Sequence, residues 1–410
     1  MPSSRAGTRA SLLRSHNGGH APVSNLELFF DLVYVFAITQ ISLFARLHVA
    51  LGPQPLVALG ETLVLFFAVW WAWIYTSWAT NWADPDTVPV RLMMLATMLA
   101  SLVMAAVLPR AFEDRFHALA FVAAYGAVQI GRTAFMVWAM AAERPAGSRN
   151  MARITAWFVA SALFWLAGAW CGGGMQGALW AGALAIEYAG PFAGFYTPRL
   201  GRSTTADWDI SGSHMAERAS LFVLIALGEG IVVTGSVFAE GAPSGPRIAA
   251  LVASFAGSVL MWWVYFDLGA TRGARLIAGS ADAGRLARNA YTYLHLPIAA
   301  GIVATAVADA LLLAAPLGPA GAAHVAAAGG GLVLFVGGIG VFKRASSPHG
   351  NLPLSHSVGL ALLVVLIATA LRHPIPALAF AAATALVLLV VVVWEWGSFH
   401  GGWKNRLRRV

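Results

Sequence analysis

Apolar stretches of about 20 residues recur along the whole chain, separated by short polar breaks, and each is long enough to cross a hydrocarbon core of roughly 30 Å as a helix. They lie near 26–47, 57–79, 91–109, 117–141, 151–170, 175–196, 214–238, 247–268, 289–313, 323–342, 354–372 and 377–396. The pattern predicts an all-α polytopic membrane protein of about twelve transmembrane helices. A first six-helix half spans 25–197, a linker 198–213 and a second six-helix half 214–396, with basic tails at 1–24 and 397–410. The first apolar segment is too long for the core of a cleaved signal and lacks a small-residue cleavage site, so it is expected to be retained.

The basic residues supply an orientation independently of hydropathy, because short cytoplasmic loops of membrane proteins are enriched in Lys and Arg. With the N-terminus inside, nineteen of the 26 basic residues fall on the inner side. Five (Arg46, Arg110, Arg115, Arg247 and Arg372) fall outside, while Arg132 and Arg218 lie within spans. Both termini are therefore expected to be cytoplasmic.

Composition agrees. The chain is 59% hydrophobic and 11% charged, against about 45–50% and 25% for soluble proteins. Its net charge of +8 follows from the loop bias and from attraction to anionic lipid headgroups, and no nucleic-acid partner is implied. The single cysteine, Cys171, excludes an internal disulfide and any Cys-rich metal site. No nucleotide-binding or metalloprotease motif is present and no cofactor is implied.

The second half echoes the first. Glu27 opens the first span and Gln40 follows thirteen residues later; Glu217 opens the seventh and Glu229 follows twelve later. FFAVWWAWIY (66–75) is matched by SVLMWWVYFD (258–267), with the Trp pairs 70–71 and 262–263 at nearly the offset of the two glutamates. Six spans per half keep both halves in one orientation, which predicts two parallel repeats.

Five polar-decorated blocks, ELFFDLVYVFAITQIS (27–42), WWAWIYTSWATNWADPD (70–86), GRSTTADWDISGSHMAER (201–218), LFVLIALGEGIVVTG (221–235) and YTYLHLPIAAGIVATAVAD (291–309), resemble the bacterial low temperature requirement A protein family, from about residue 20 to 396. The resemblance implies a multi-pass protein of the bacterial cytoplasmic membrane. It names no biochemical activity, so function is argued from the residues.

An ionisable group at the bilayer centre costs roughly 2.5–3.5 kcal/mol on insertion scales and is expected to pair or to face water. The candidates are Glu27, Asp31, Glu61, Arg132, Glu187, Glu217, Arg218, Glu229, Asp267, His295 and Asp309, with Gln40 and Gln129. Glu27 and Asp31 share a face of the first span, where they are expected to cap the helix or bind arginines of neighbouring loops. Gln40 lies about 180° around from Asp31 on the same helix and faces another neighbour. Tyr125, Gln129, Arg132 and Met136 form one stripe of the fourth span. Glu229, mid-span between Gly228 and Gly230, is the leading functional candidate; a Glu229–Arg132 pair locking span seven to span four is the structural alternative. Those glycines are expected to admit a close neighbouring helix or a local distortion. His295, just before Pro297, is a packing residue or a proton shuttle. The Trp70, Trp71, Trp73, Trp78 and Trp82 group is expected to form an interfacial belt and to pack, and Asp207 and Asp209 lie in the linker.

The buried acids and arginines predict a secondary transporter or proton-coupled carrier of a small ion or solute. The alternatives are a cation channel of two six-helix repeats, on a faint resemblance to twelve-helix lysosomal-type potassium channels, and a membrane enzyme acting on lipids. The latter has only His214 with Glu217 and His349 with His356 to offer, neither with a convincing partner set, so the chain is expected not to be an enzyme. Membrane lipids and a further copy of the chain are the other partner classes.

Overall fold

Helix boundaries follow from local chemistry. Ser24 and Glu27 form a reciprocal capping box at the start of the first helix. The side chains of Asp114, Ser211 and Ser244 cap three others, and prolines occupy the first turns of the second, third, fifth and eighth. A computed structural model describes residues 11–14, 22–204, 211–267, 288–346 and 350–399. Asp207, Asp209, Arg272, Arg275, Arg285 and His349 lie outside the described residues, as do Arg5, Arg9, Lys404, Arg406, Arg408 and Arg409.

Twelve helices account for the described spans: α1 Asn25–Ala50, α2 Pro55–Trp82, α3 Val88–Arg110, α4 Arg115–Met140, α5 Pro145–Cys171, α6 Gly173–Ala189, α7 Gly212–Ala239, α8 Gly245–Phe266, α9 Arg288–Ala314, α10 Ala322–Ala345, α11 Leu354–Arg372 and α12 Ala377–Ser398. Eleven are long and apolar enough to cross a membrane. The twelfth, α6, has 17 residues and ends earlier than the expected 196. Gly190 and Pro191 stop it, and the chain then folds back, with positive φ at Gly194 (59°), Phe195 (47°) and Arg199 (68°). Four helices contain π-helical turns: Ala45–Ala50, Ala127–Gly131, Arg288–Leu294 and Ala326–Gly330.

Each half has its own packing order. In the first, α1 packs on α2 and α3, α3 on α4, α4 on α5, α5 on α6, and α6 returns to α2. In the second, α7 packs on α8 and α9, α9 on α10, α10 on α11, α11 on α12, and α12 returns to α8. Every one of these six neighbour pairs of the first half recurs six helices later. The halves meet through α1 against α7 and α9, and α2 against α7.

Large apolar side chains cover the outside. Leu56, Phe116 and Phe192 are 83%, 74% and 71% exposed, as suits a surface solvated by lipid rather than water. The α2 tryptophans do the opposite and correct the belt expectation, although the packing part stands: Trp70, Trp71, Trp73, Trp78 and Trp82 are all buried. Their counterparts Trp262 and Trp263 on α8 are exposed. The difference lies in position: α2 is enclosed by α1, α6 and α7, whereas much of α8 faces outward.

Candidate functional site

The buried polar residues sort into two hydrogen-bonded networks and several separate groups. The first network joins the starts of α1 and α7. Glu27 Oε2 accepts from Arg14 Nη2 (2.8 Å), the Ser24 backbone N–H (2.8 Å) and Ser24 Oγ (2.9 Å). Glu27 Oε1 is 2.8 Å from His214 Nε2. Asn81 defines the imidazole tautomer. Its Oδ1 accepts from the Ser211 N–H, so its amide nitrogen faces the Ser211 carbonyl and His214 Nδ1 at 2.9 and 3.2 Å. Nδ1 is thereby an acceptor, and Nε2–H donates to Glu27. Glu217 reciprocates across the same junction, accepting from the Val23 N–H ahead of α1 (3.3 Å).

One turn deeper, Arg218 of α7 forks onto Asp31 of α1. Nη1 donates to Oδ2 and Nη2 to Oδ1, both at 2.8 Å. Arg218 also donates to the Glu27 carbonyl (2.9 Å) and to Ser77 Oγ of α2 (3.2 Å), and Trp73 Nε1 donates to Asp31 Oδ1 (2.9 Å). Both members of the pair are fully buried. The expected partnership of Glu27 with a cap and an arginine is what the geometry provides. Asp31 is held by an arginine of a neighbouring helix.

The second network lies within the first half and realises the α4 stripe. Arg132 Nη2 donates to Gln129 Oε1 (2.6 Å), Gln129 Nε2 to Tyr125 Oη (3.0 Å), and Tyr125 Oη to Glu187 Oε2 on α6. Glu187 Oε1 is met by Ser161 Oγ (2.7 Å) and Trp165 Nε1 (2.9 Å) of α5. Arg132 Nη1 donates to Thr76 Oγ1 (2.9 Å) and the Ala72 carbonyl (3.3 Å) of α2. The π turn Ala127–Gly131 carries Gln129, and Thr133 Oγ1 donates to the Gln129 carbonyl (2.8 Å). Such bulges concentrate where a helix re-aims side chains. Thr76 and Ser77 are consecutive, so α2 is held on two faces by two buried arginines.

This arrangement corrects the Glu229–Arg132 pairing: Arg132 directs its donors to α2 and α4, and no carboxylate lies within ion-pair distance of it among the described residues. Glu229 stands elsewhere on α7, beside Thr39 of α1. It is 3% exposed, and its Oε1 has no hydrogen-bond partner among the described residues. Thr39 directs its hydroxyl proton to the Val35 carbonyl (3.1 Å). The flanking glycines do not mediate a tight contact. A Cβ at Gly228 would meet nothing within 4 Å and one at Gly230 would reach only Ala306 at 3.7 Å, and α7 is regular α-helix from Gly212 to Ala239.

His295 is buried with both ring nitrogens hydrogen-bonded. Its Nδ1 meets the Ala290 carbonyl (2.8 Å), so Nε2 accepts from Tyr265 Oη (2.9 Å). The Thr292 carbonyl, one turn before Pro297, accepts Trp70 Nε1 (2.9 Å), and Trp78 Nε1 donates to Thr292 Oγ1 (3.0 Å). Gln40 is half-buried outside both networks, Glu61 faces His48, and Asp267 is exposed at the end of α8. Asp309 lines a separate cavity in the second half.

Several members of these networks were not singled out from the sequence: Arg14, Trp73 as a donor, Ser77, Asn81 and the His214–Glu27 pair. Asn81 and His214 sit inside two of the polar blocks, which is the signal that marked them. Lys343 and Glu395, joined by two 2.7 Å contacts between α10 and α12, carried no such mark.

The sequence model of the bacterial low temperature requirement A protein family matches residues 22–393. The chain is also 38% identical over 356 residues to an uncharacterized protein of Rhizobium meliloti (strain 1021), covering 86% of this chain and 84% of that protein. A helical bundle with a lipid-facing exterior and a polar, hydrogen-bonded interior defines a multi-pass membrane protein. The chain belongs to the bacterial low temperature requirement A protein family.

Proposed function

We propose that the protein is a carrier of a small ion across the bacterial cytoplasmic membrane, the proton being the simplest cargo, with Glu229 as the residue that binds it. In this reading the carrier consists of two parallel six-helix repeats with both termini cytoplasmic. The recurrence of six helix pairings of the first half among the second-half helices supports the repeat, and the arginine bias of the loops supports the orientation.

The observation that carries the reading is the contrast among buried acids. Glu27, Asp31, Glu187 and Glu395 are each met by a cation or by three donors. Exchanging a ligand at any of them requires several charge-assisted bonds to break together. Glu229 carries no such cost. It is buried mid-helix with an unpartnered oxygen and no cation, and an unmet carboxylate inside a membrane is expensive unless it takes up a proton or an ion.

The test is flux in proteoliposomes bearing an internal pH dye, under imposed proton, sodium and potassium gradients. Glu229→Gln is expected to abolish flux while unfolding at the wild-type temperature. Asp31→Asn is expected to lower the unfolding temperature. Wild-type flux in Glu229→Gln, or no flux by the wild type in any gradient, overturns the reading.

A further inference from the structure

The second half contains a cavity of about 40 Å³ between α8, α9, α10 and α12. That is room for about three water-sized positions, at 10–15 Å³ each. Asp309 supplies its one carboxylate, and no Lys or Arg lines it. Around the acid stand Ser254 and Ser258 of α8, Thr305 of α9, His324 of α10 and Thr384 of α12.

Two of the four hydroxyls present only lone pairs to the cavity. Thr305 Oγ1 donates to the Ile302 carbonyl and Thr384 Oγ1 to the Ala381 carbonyl, both at 2.8 Å. Their protons are spent within their own helices, and lone pairs are what remain for the cavity. Ser254 Oγ stands beside the Asp309 carboxyl and makes no other hydrogen bond among the described residues, and His324 Nε2 is buried with no partner among them, at 3% and 6% residue exposure. Asp309 itself has no ion-pair partner among the described residues. A carboxylate with no cationic side chain beside it, facing the lone pairs of Thr305 and Thr384 in a space with room for water, fits a cation. One carboxylate balances one positive charge, whereas divalent ions draw on several carboxylates or on phosphate.

We infer that this cavity is a binding site for a monovalent cation of sodium size with its accompanying water, held by Asp309 and the hydroxyls of Ser254, Thr305 and Thr384. The inference does not depend on the transport reading, because binding is measurable without flux and Glu229 is not part of the cavity.

The experiment is thermal unfolding of the full-length protein in detergent, followed by tryptophan fluorescence, titrating sodium chloride against choline chloride at constant ionic strength and pH. Sodium is expected to raise the unfolding temperature with the logarithm of its concentration above Kd, on the order of 3 °C at 100 times its Kd. Asp309→Asn is expected to remove the rise, and Glu229→Gln to keep it. Ser254→Ala and Thr384→Val retain the carboxylate and are expected to move the sodium concentration at which the rise sets in upward about tenfold, so the test survives if Asp309→Asn does not fold. Identical curves in sodium and choline overturn the inference. So does a sodium effect that persists in all three cavity variants.

Discussion

Arg218 on α7 and Asp31 on α1 form a forked ion pair, with both guanidinium–carboxylate contacts at 2.8 Å and neither side chain exposed. The pair ties the first helix of one half to the first helix of the other. Removing one member of a buried pair leaves an uncompensated charge and costs about 3–5 kcal/mol, whereas replacing both with apolar groups is far less costly. Asp31→Leu and Arg218→Met are each expected to lower stability by about that amount, and the double variant by less than the sum. Unfolding temperatures of the four proteins in one detergent check this; strict additivity would refute it.

His214 tests the junction above that pair. Its Nε2–H serves Glu27 and its Nδ1 receives Asn81. His214→Leu leaves Glu27 Oε1 and one amide hydrogen of Asn81 buried without a partner, at about 1–3 kcal/mol for each unsatisfied group. His214→Gln keeps an N–H donor and is expected to lose less. The order of the two variants in denaturant or thermal unfolding is the readout.

The Arg132–Gln129–Tyr125–Glu187 chain gives a second stability test. Tyr125→Phe removes the hydroxyl that links Gln129 to Glu187, with an expected loss of about 1–3 kcal/mol. A double-mutant cycle with Glu187→Gln is expected to show coupling of about 0.5–3 kcal/mol, as for residues in one network. No coupling would mean that the chain does not act as a unit.

Glycine positions separate close helix approach from open surface. A Cβ on Gly301 of α9 would lie 2.5 Å from the Gly331 carbonyl oxygen and 2.7 Å from the Phe335 nitrogen, both on α10. Gly301→Ala must part those helices and is expected to cost about 1–3 kcal/mol by overpacking. Gly228→Ala meets nothing and is expected to be neutral or to stabilise by up to about 1 kcal/mol through helix propensity. Equal effects of the two substitutions would contradict the packing described.

Hydropathy located the eleven described helices long and apolar enough to cross a membrane, because a chain in lipid must satisfy its backbone internally and a crossing therefore writes itself as a long apolar run. Capping residues such as Ser24, Asp114 and Ser244 are local and equally legible. So was the α4 stripe, since the spacing of Tyr125, Gln129 and Arg132 is a property of one helix. The early end of α6 and the burial of the α2 tryptophans were not, because length and aromatic content do not say which helices enclose a segment.

Charge pairing was the least legible feature. The sequence marked Asp31, Arg132, Arg218 and Glu229 as costly residues that need partners, but offered no way to choose among them. Arg218 meets Asp31, 187 positions away, and Arg132 turns to α2, because packing puts α1 beside α7 and α2 between the two arginines. Glu229 is left with an oxygen unmet and Asp309 is enclosed in a cavity for the same reason. Hydrophobic period and helix length are read from neighbours in sequence, while the partners of a buried charge are set by neighbours in space.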